Sequence, residues 1–429
     1  MREKGGEEHE IIQKRSLLFG PKFPLRIPRM AAKEMDKILW SDRILAPFQR
    51  RTSSGRYLPE IDGLRCLAVV LVVLFHSHGF FTSGSEPSTV PELLTTDPGT
   101  ALLHMPHALM GRGWFGVQIF FLISGLVLSL PYAAHYLKGE EKPLIKNYFK
   151  RRFIRIEIPY VLALTFFLFL SIIIEQSGWE RLPNYFAGLI YAHGFIYDGQ
   201  HNPLLFVAWT LEIEVQFYLI VPLLCRVFAL PKLLRRLLLV LTILAVDQLC
   251  GGSWMAFTDS IWHHTVIRQL NWFLPGLLLA DLYLSPNLKG FREQGGILWA
   301  DLVGGLAWLM VFVLIDYHFT LSPRPFVLLL AFWCVLASRY LGVVFRNRWI
   351  TAVGMMCYTI YLFHNFFIHT IFGPYILGPV VPYQKGNWPI NALIMSAMVL
   401  VIIMACGFIY LVVEKPFARG RLPWKKKQG

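Results

Sequence analysis

Arg65 and His76 stand eleven positions apart, and everything between them is apolar: Arg65-Cys-Leu-Ala-Val-Val-Leu-Val-Val-Leu-Phe-His76. At about 1.5 Å rise and 100° per residue, the two side chains fall on one helix face, ~16 Å apart along the axis. An arginine at the mouth of an apolar helix can hold an anion, and a histidine inside it can move a proton near neutral pH. The same pair also fits a snorkelling arginine with a hydrogen-bonded core histidine. On either reading, such groups persist inside a membrane only when turned toward protein or a water-filled cavity.

Other residues of chemical interest fall into two groups. Arg152 and Arg155 are three apart, hence neighbours on one helix face, and Lys150 and Arg151 flank them. They fit membrane-surface anchors, or a phosphate-binding pair whose planar forks make paired, charge-assisted bonds. Arg65 is expected at the same membrane level on another helix, and three arginines from two helices favour the anion site. Glu212 and Glu214 open a later apolar stretch, where an acid near a helix N-terminus is favoured by the dipole; Glu212 suits such a cap. His364 lies about 14 residues into its stretch, ~21 Å along a helix and close to the depth of His76. Histidines and an acid thus gather at one level, and arginines at the other. Trp209 and Tyr218 fit an interfacial belt or the lining of a substrate groove. Ser124, followed by Gly125, reads as a place of close helix packing rather than as a nucleophile. No Gly-x-Ser-x-Gly elbow and no metal-spaced histidine pair occurs, so no metal site is expected.

The elements that must position these residues are membrane helices. The chain is 55% hydrophobic and 16% charged, with mean hydropathy +0.49, whereas a soluble domain carries about 25% charged residues. Apolar stretches fall at 64–81, 114–134, 158–174, 209–229, 237–251, 267–284, 297–315, 326–338, 350–372 and 390–413, which predicts an all-α polytopic protein of about ten transmembrane helices. The stretch 185–197 is short for a span and reads as re-entrant or interfacial. The net charge of +14 reports topology rather than nucleic-acid binding. Four alternate loops (135–157, 226–236, 285–296 and 339–349) hold sixteen Lys and Arg, and the other five hold only Arg112, Arg181, Arg324 and Lys385. By the positive-inside rule both termini are cytoplasmic, with the basic loops against anionic lipid headgroups. The six cysteines form no Cys-x-x-Cys pair, so no disulfide or zinc framework follows. Three regions result: a loosely ordered, basic cytoplasmic extension at 1–56, a transmembrane domain at 57–418, and a basic cytoplasmic tail at 419–429.

Five ordered motifs and a closing tetrapeptide give the chain a family likeness. The Arg65-x10-His76 pattern is followed by Gly116-Val-Gln-Ile-Phe-Phe-Leu-Ile-Ser-Gly125, then Arg151-Arg-Phe-Ile-Arg155 with Pro159-Tyr160, then Trp209-Thr-Leu-Glu-Ile-Glu-Val-Gln-Phe-Tyr218. Val353-Gly-Met-Met-Cys-Tyr-Thr-Ile-Tyr-Leu-Phe-His364 and Glu414-Lys-Pro-Phe417 complete the series. Together they resemble acyltransferase family 3, the membrane acyltransferases that modify cell-surface glycans, over roughly residues 57–418. One position departs: the family commonly has an acid where this chain has Gln118, and a neutral amide cannot hold charge.

The resemblance implies O-acylation, and acetylation first, of a carbohydrate or lipid-linked sugar by a multi-pass protein of the plasma or inner membrane. Acyl-CoA, acetyl-CoA in the first instance, would be the co-substrate, with no metal and no nucleic-acid partner. Arg65, Arg152 and Arg155 would hold the coenzyme phosphates at the inner mouth, and His76 would act as general base on the acceptor hydroxyl. Glu214 matches the motif acid and would orient that imidazole or the sugar, with His364, Trp209, Tyr218 and Ser124 supporting on the acceptor side. An acyl-histidine intermediate is the competing chemistry. Two other functions stay open at this point: a transporter, because buried His, Glu and Arg also make relays, and acylation of a small lipophilic product. The chain ends just after its last apolar stretch, so the extracytoplasmic esterase-like domain of some relatives is not expected.

Overall fold

A computed structural model describes residues 42–48, 57–82, 99, 105, 108–174, 178–251, 264–314, 322–372 and 388–418. Most of the expected extension 1–56 and all of the tail 419–429 lie outside the described residues. Met1–Pro47 and Phe48–Gly429 form separate compact units, and the candidate site belongs to the second.

Among the described residues that unit is helical throughout, with a single isolated bridge between Ile297 and Ser338. Helix α1 spans Pro59–Thr82 and α2 spans Gly116–Lys138. The third, α3, runs over Ile145–Ile174, with a π turn at Phe153–Glu157. Two short helices follow, α4 (Leu182–Leu189) and α5 (His193–Ile196), and then α6 (Ala208–Leu224), α7 (Lys232–Gly251) and α8 (Val266–Tyr283). Next come α9 (Pro286–Glu293), α10 (Leu298–Leu314), α11 (Arg324–Ala337), α12 (Leu341–Phe345), α13 (Arg348–Met355), α14 (Cys357–Phe366) and α15 (Trp388–Val413).

The described parts of all ten apolar stretches are largely helical, but among the described residues four helices are long and apolar enough to cross a membrane, or five if the bent pair α13 and α14 counts as one. Helices α6, α10 and α11 fall short by length, at 17, 17 and 14 residues, and α7 and α8 by charge. Helix α7 carries Lys232, Arg235, Arg236 and Asp247, and α8 carries Arg268 and Asp281. These charges lower mean hydropathy, yet several have partners: Asp281 binds both Arg235 and Arg236, and Asp247 accepts from Asn271 at 2.8 Å.

Two features set the geometry around the site. Helices α2 and α8 approach so closely that a Cβ on Gly125 would lie 2.1 Å from the Phe273 carbonyl oxygen, and one on Gly276 would lie 2.4 Å from that of Leu122. Small residues permit this contact, and it holds Ser124 in place. The second feature is a bend of 65° between α13 and the helix that continues from Cys357, so the unbroken rise expected up to His364 is interrupted at Met356.

The 185–197 stretch forms α4 and α5, of eight and four residues, too short to span. It runs antiparallel along α3 through three side-chain bonds. Tyr185 and Thr165 hydroxyls lie 3.0 Å apart, Tyr160 donates to the Gly188 carbonyl at 3.0 Å, and Tyr191 donates to Glu157 at 2.7 Å. The partners on α3 span eight residues, about 12 Å of helix. Tyr191 sits at φ +55°, a left-handed conformation costing roughly 1–2 kcal/mol; its stacking on Tyr160 at 4.8 Å and its bond to Glu157 offset that cost.

Glu212 anchors the same segment. Its two oxygens accept the His193 and Gly194 amides, each at 3.1 Å. It therefore caps α5, not the helix it belongs to, as proximity in sequence had suggested.

Two outcomes follow for thermal unfolding in detergent. Gly125→Val should lower the midpoint by overpacking worth about 1–3 kcal/mol, whereas Gly305→Ala, where a Cβ would meet nothing within 4 Å, should not. Glu212→Ala should cost about 1–3 kcal/mol by leaving two buried amides without an acceptor. An unchanged midpoint in the Glu212 variant would remove its capping role.

Candidate active site

The π turn, the bent helix and α1 converge on one cavity, with about 860 Å³ of space when the open solvent at its mouth is included. Arg65 reaches it from α1, and Arg152 and Arg155 from the start of α3. Ser124 of α2, Glu214 and Tyr218 of α6, Cys357 and Tyr358 of α14, and Glu414 after α15 also line it.

Each charged group has a local reason to be there. Arg65 is bound by Asp62, one turn earlier on α1, at 2.5 Å. The Arg152 guanidinium lies over the Tyr218 ring, 5.9 Å from its centroid, a cation–π contact that substitutes for lost hydration. Arg155 makes no hydrogen bond or ion pair among the described residues. Glu214 accepts the Ser124 hydroxyl at 2.6 Å, so Ser124 acts as a hydrogen-bond donor as well as sitting beside a packing glycine. Glu414 accepts the Thr359 amide at 3.1 Å and its hydroxyl at 2.7 Å. That amide is one of the unpaired donors at the start of α14, where a carboxylate is favoured by the dipole. The π turn frees the Ile156 carbonyl, and the Tyr358 hydroxyl satisfies it at 2.9 Å.

The cavity therefore gathers three guanidinium groups, two carboxylates and the positive end of a helix. That combination suits a large anion with several negative oxygens.

The histidines sit at the other end of α1. The rings of His76 and His364 lie 5.1 Å apart, inclined by 47°, and Phe206 packs on His76 at 6.1 Å. The boundary between the two ends is Tyr361. Its ring faces His364 at 5.8 Å and Phe120 at 6.0 Å, it lines the cavity, and its hydroxyl lies 2.7 Å from that of Thr210.

Beyond His76 lies a ring cluster of His201, Phe206, Trp209 and His264. His201 packs on Phe206 at 4.3 Å, on Trp209 at 6.2 Å and on His264 at 5.7 Å. Burial lowers the His201 imidazole below its ordinary value, so it is neutral at neutral pH. His264 Nδ1 lies 3.9 Å from Glu212.

The structure thus joins Arg65, Arg152, Arg155, Glu214, Ser124 and Tyr218 around one space, with His76 beside His364 and Trp209 in the ring cluster. Tyr218 lies with the arginines rather than with the histidines. Glu214 is bonded to Ser124, and no contact joins it to His76 among the described residues. Gln118 is buried, and with its amide turned so that NH2 faces the backbone it donates to the Trp114 carbonyl at 3.1 Å and that of Phe115 at 3.3 Å. A carboxylate there would face two acceptors, which explains the amide.

Several members escape sequence reasoning. Asp62 had a signal, one turn before Arg65 on the same helix, and Glu414 lay in a recognised motif without a role. Tyr358, Tyr361 and Cys357 belong to another motif, whose meaning depends on the bend at Met356. His201 and Phe206 come from a loop with no periodicity to read.

Comparison with known proteins agrees with the motifs. An acyltransferase-domain family model matches residues 58–410. The chain is similar to the O-acetyltransferase OatA of Staphylococcus aureus (strain MRSA252), 24% identical over 413 residues, covering 87% of this chain and 60% of the relative. It is also similar to the peptidoglycan O-acetyltransferase OatA of Listeria monocytogenes, 26% identical over 350 residues, covering 72% and 49% respectively. The chain thus spans about half the length of the curated relatives it matches. No solved structure matches significantly. With a family model covering most of its length, the chain belongs to the acyltransferase family whose five motifs it carries.

Proposed function

We propose that the protein transfers an acyl group, acetyl in the first instance, from acyl-CoA to a hydroxyl of a cell-envelope glycan. The observation that supports this most is the convergence of Arg65, Arg152 and Arg155 with the N-terminus of α14 on one cavity. Coenzyme A carries a diphosphate and a further phosphate, the anions for which forked donors and a helix N-terminus are suited. The two relatives named above as O-acetyltransferases, one of them of peptidoglycan, support the acetyl group and the glycan.

In this reading the phosphates rest on the arginines and the pantetheine arm carries the thioester up to Tyr361. There the acceptor oxygen attacks the thioester carbonyl. His76 takes the hydroxyl proton, the carbon–sulfur bond breaks, and that proton passes to the departing thiolate. The products are the ester and free coenzyme thiol. Glu214 and Ser124 orient the arm, and Trp209 with its ring neighbours offers flat apolar faces to the sugar. Because Tyr361 and Thr210 close the way between the ends, Tyr361 must move for the thioester to meet His76. All ten helical stretches cross or enter the cell membrane in this account, with both termini and the arginine end on the cytoplasmic side.

Purified protein should release thiol from acetyl-CoA in the presence of soluble peptidoglycan fragments. Arg152→Ala and Arg155→Ala should each raise the KM for acetyl-CoA by about 10–100-fold, the loss of one charge-assisted bond. Lysine should restore only part of this, lacking the fork. Both variants keeping normal coenzyme affinity would leave the arginines as anchors. Single cysteines placed within 86–98 should label from outside intact cells, and those at 139–141 only after permeabilisation; the reverse pattern would invert the proposed orientation.

A further inference from the structure

His364 has a fixed tautomer. Its Nδ1 lies 2.8 Å from the Tyr361 carbonyl oxygen and 3.1 Å from that of Ile360. Carbonyl oxygens only accept, so Nδ1 carries the proton and, in the neutral ring, Nε2 carries the lone pair. That lone pair is an oddity. His364 is 0% exposed, and its Nε2 has no hydrogen-bond partner among the described residues. Packing alone against the Tyr361 ring at 5.8 Å would be served better by leucine or phenylalanine than by an imidazole with an unsatisfied acceptor. The ring packed against it is that of His76 at 5.1 Å, and His76 is only half-buried.

We propose that His364 is the positioning partner of His76: its Nε2 receives the His76 ring N–H during transfer. This rests on the acyl-transfer reading and deepens it. With one His76 nitrogen donating to His364, the other is left as the lone pair that takes the acceptor hydroxyl proton. His76 then carries both protons, and its positive charge is stabilised by the hydrogen bond to the neutral His364. As the carbon–sulfur bond breaks, His76 returns the hydroxyl proton to the thiolate and retains the N–H that it donates to His364. His364 never gains or loses a proton; it fixes which His76 nitrogen reacts.

The test uses the full chain in lipid nanodiscs, with acetyl-CoA as donor and soluble peptidoglycan fragments as acceptor. His364→Ala should lower kcat about 10–100-fold with the acetyl-CoA KM unchanged. His364→Gln, whose amide oxygen still accepts, should recover roughly tenfold of that loss. The double variant His76→Ala with His364→Ala should be no slower than His76→Ala alone, because a partner has no effect once the base is gone. Multiplying losses, or equal rates for the alanine and glutamine variants, would overturn the proposal while leaving acyl transfer intact. A wild-type protein that neither releases thiol nor forms ester would overturn the transfer reading, and the proposal with it. Ring nitrogen NMR of histidine-labelled protein adds a readout independent of turnover. His364 should be protonated at Nδ1, with an Nε2 signal that moves in His76→Phe, and a proton on Nε2 would contradict the proposal.

Discussion

Three guanidinium groups converging inside an apolar helix assembly are the constraint around which the rest is arranged. Charged groups enclosed by apolar helices are costly unless partnered, so three arginines in one cavity require compensation. The structure supplies some of it. Asp62 binds Arg65, the Tyr218 face receives Arg152, and Glu214 and Glu414 line the same space. The helix break at Met356 works in the opposite sense, turning the positive end of α14 into the cavity, where Glu414 caps it. Counting Asp62, three carboxylates match the three cations, so it is Arg155, with no bonded partner among the described residues, and the N-terminus of α14 that leave the cavity suited to an anion.

The same α1 carries the other half of the chemistry. Arg65 and His76 are rigidly spaced by one uninterrupted helix, so the distance between the anion end and the imidazole end is fixed by geometry rather than by side-chain reach. Tyr361 stands between them, held by Thr210. A donor with a long flexible arm and a reactive tip fits this arrangement, since its phosphates and its thioester need different surroundings many ångströms apart. The dipping segment of α4 and α5, tied to α3 by three hydroxyls and to α6 by Glu212, brings the loop bearing His201 and Phe206 over the imidazole end.

Much of this was legible in the sequence where the governing rule is local. The 3.6-residue period places Arg65 and His76 on one face, and Arg152 with Arg155 on another. The described parts of the ten apolar stretches are largely helical for the same reason, although the charges on α7 and α8 make apolar length alone a poor count of spans. What was not legible depends on contacts between distant positions. Glu212 sits where it could cap its own helix, and only the fold reveals that it serves the amides of His193 and Gly194. Nothing near Met356 announces a bend of 65°, because the group that stabilises the broken end, Glu414, arrives 55 positions after Thr359. Tyr218 reads as an interfacial or groove-lining aromatic until Arg152 is found over its ring. The tautomer of His364 follows from two backbone carbonyls that no motif records.

The central claim is directional: donor at the arginine end on the cytoplasmic face, acceptor at the histidine end beyond it. The most direct measurement gives radiolabelled acetyl-CoA to the outside of sealed cell-membrane vesicles of either orientation and follows label into glycan. The account predicts labelled ester with inside-out vesicles, which present the arginine end to the added donor, and none with right-side-out vesicles until they are opened. Equal labelling by intact right-side-out vesicles would contradict it.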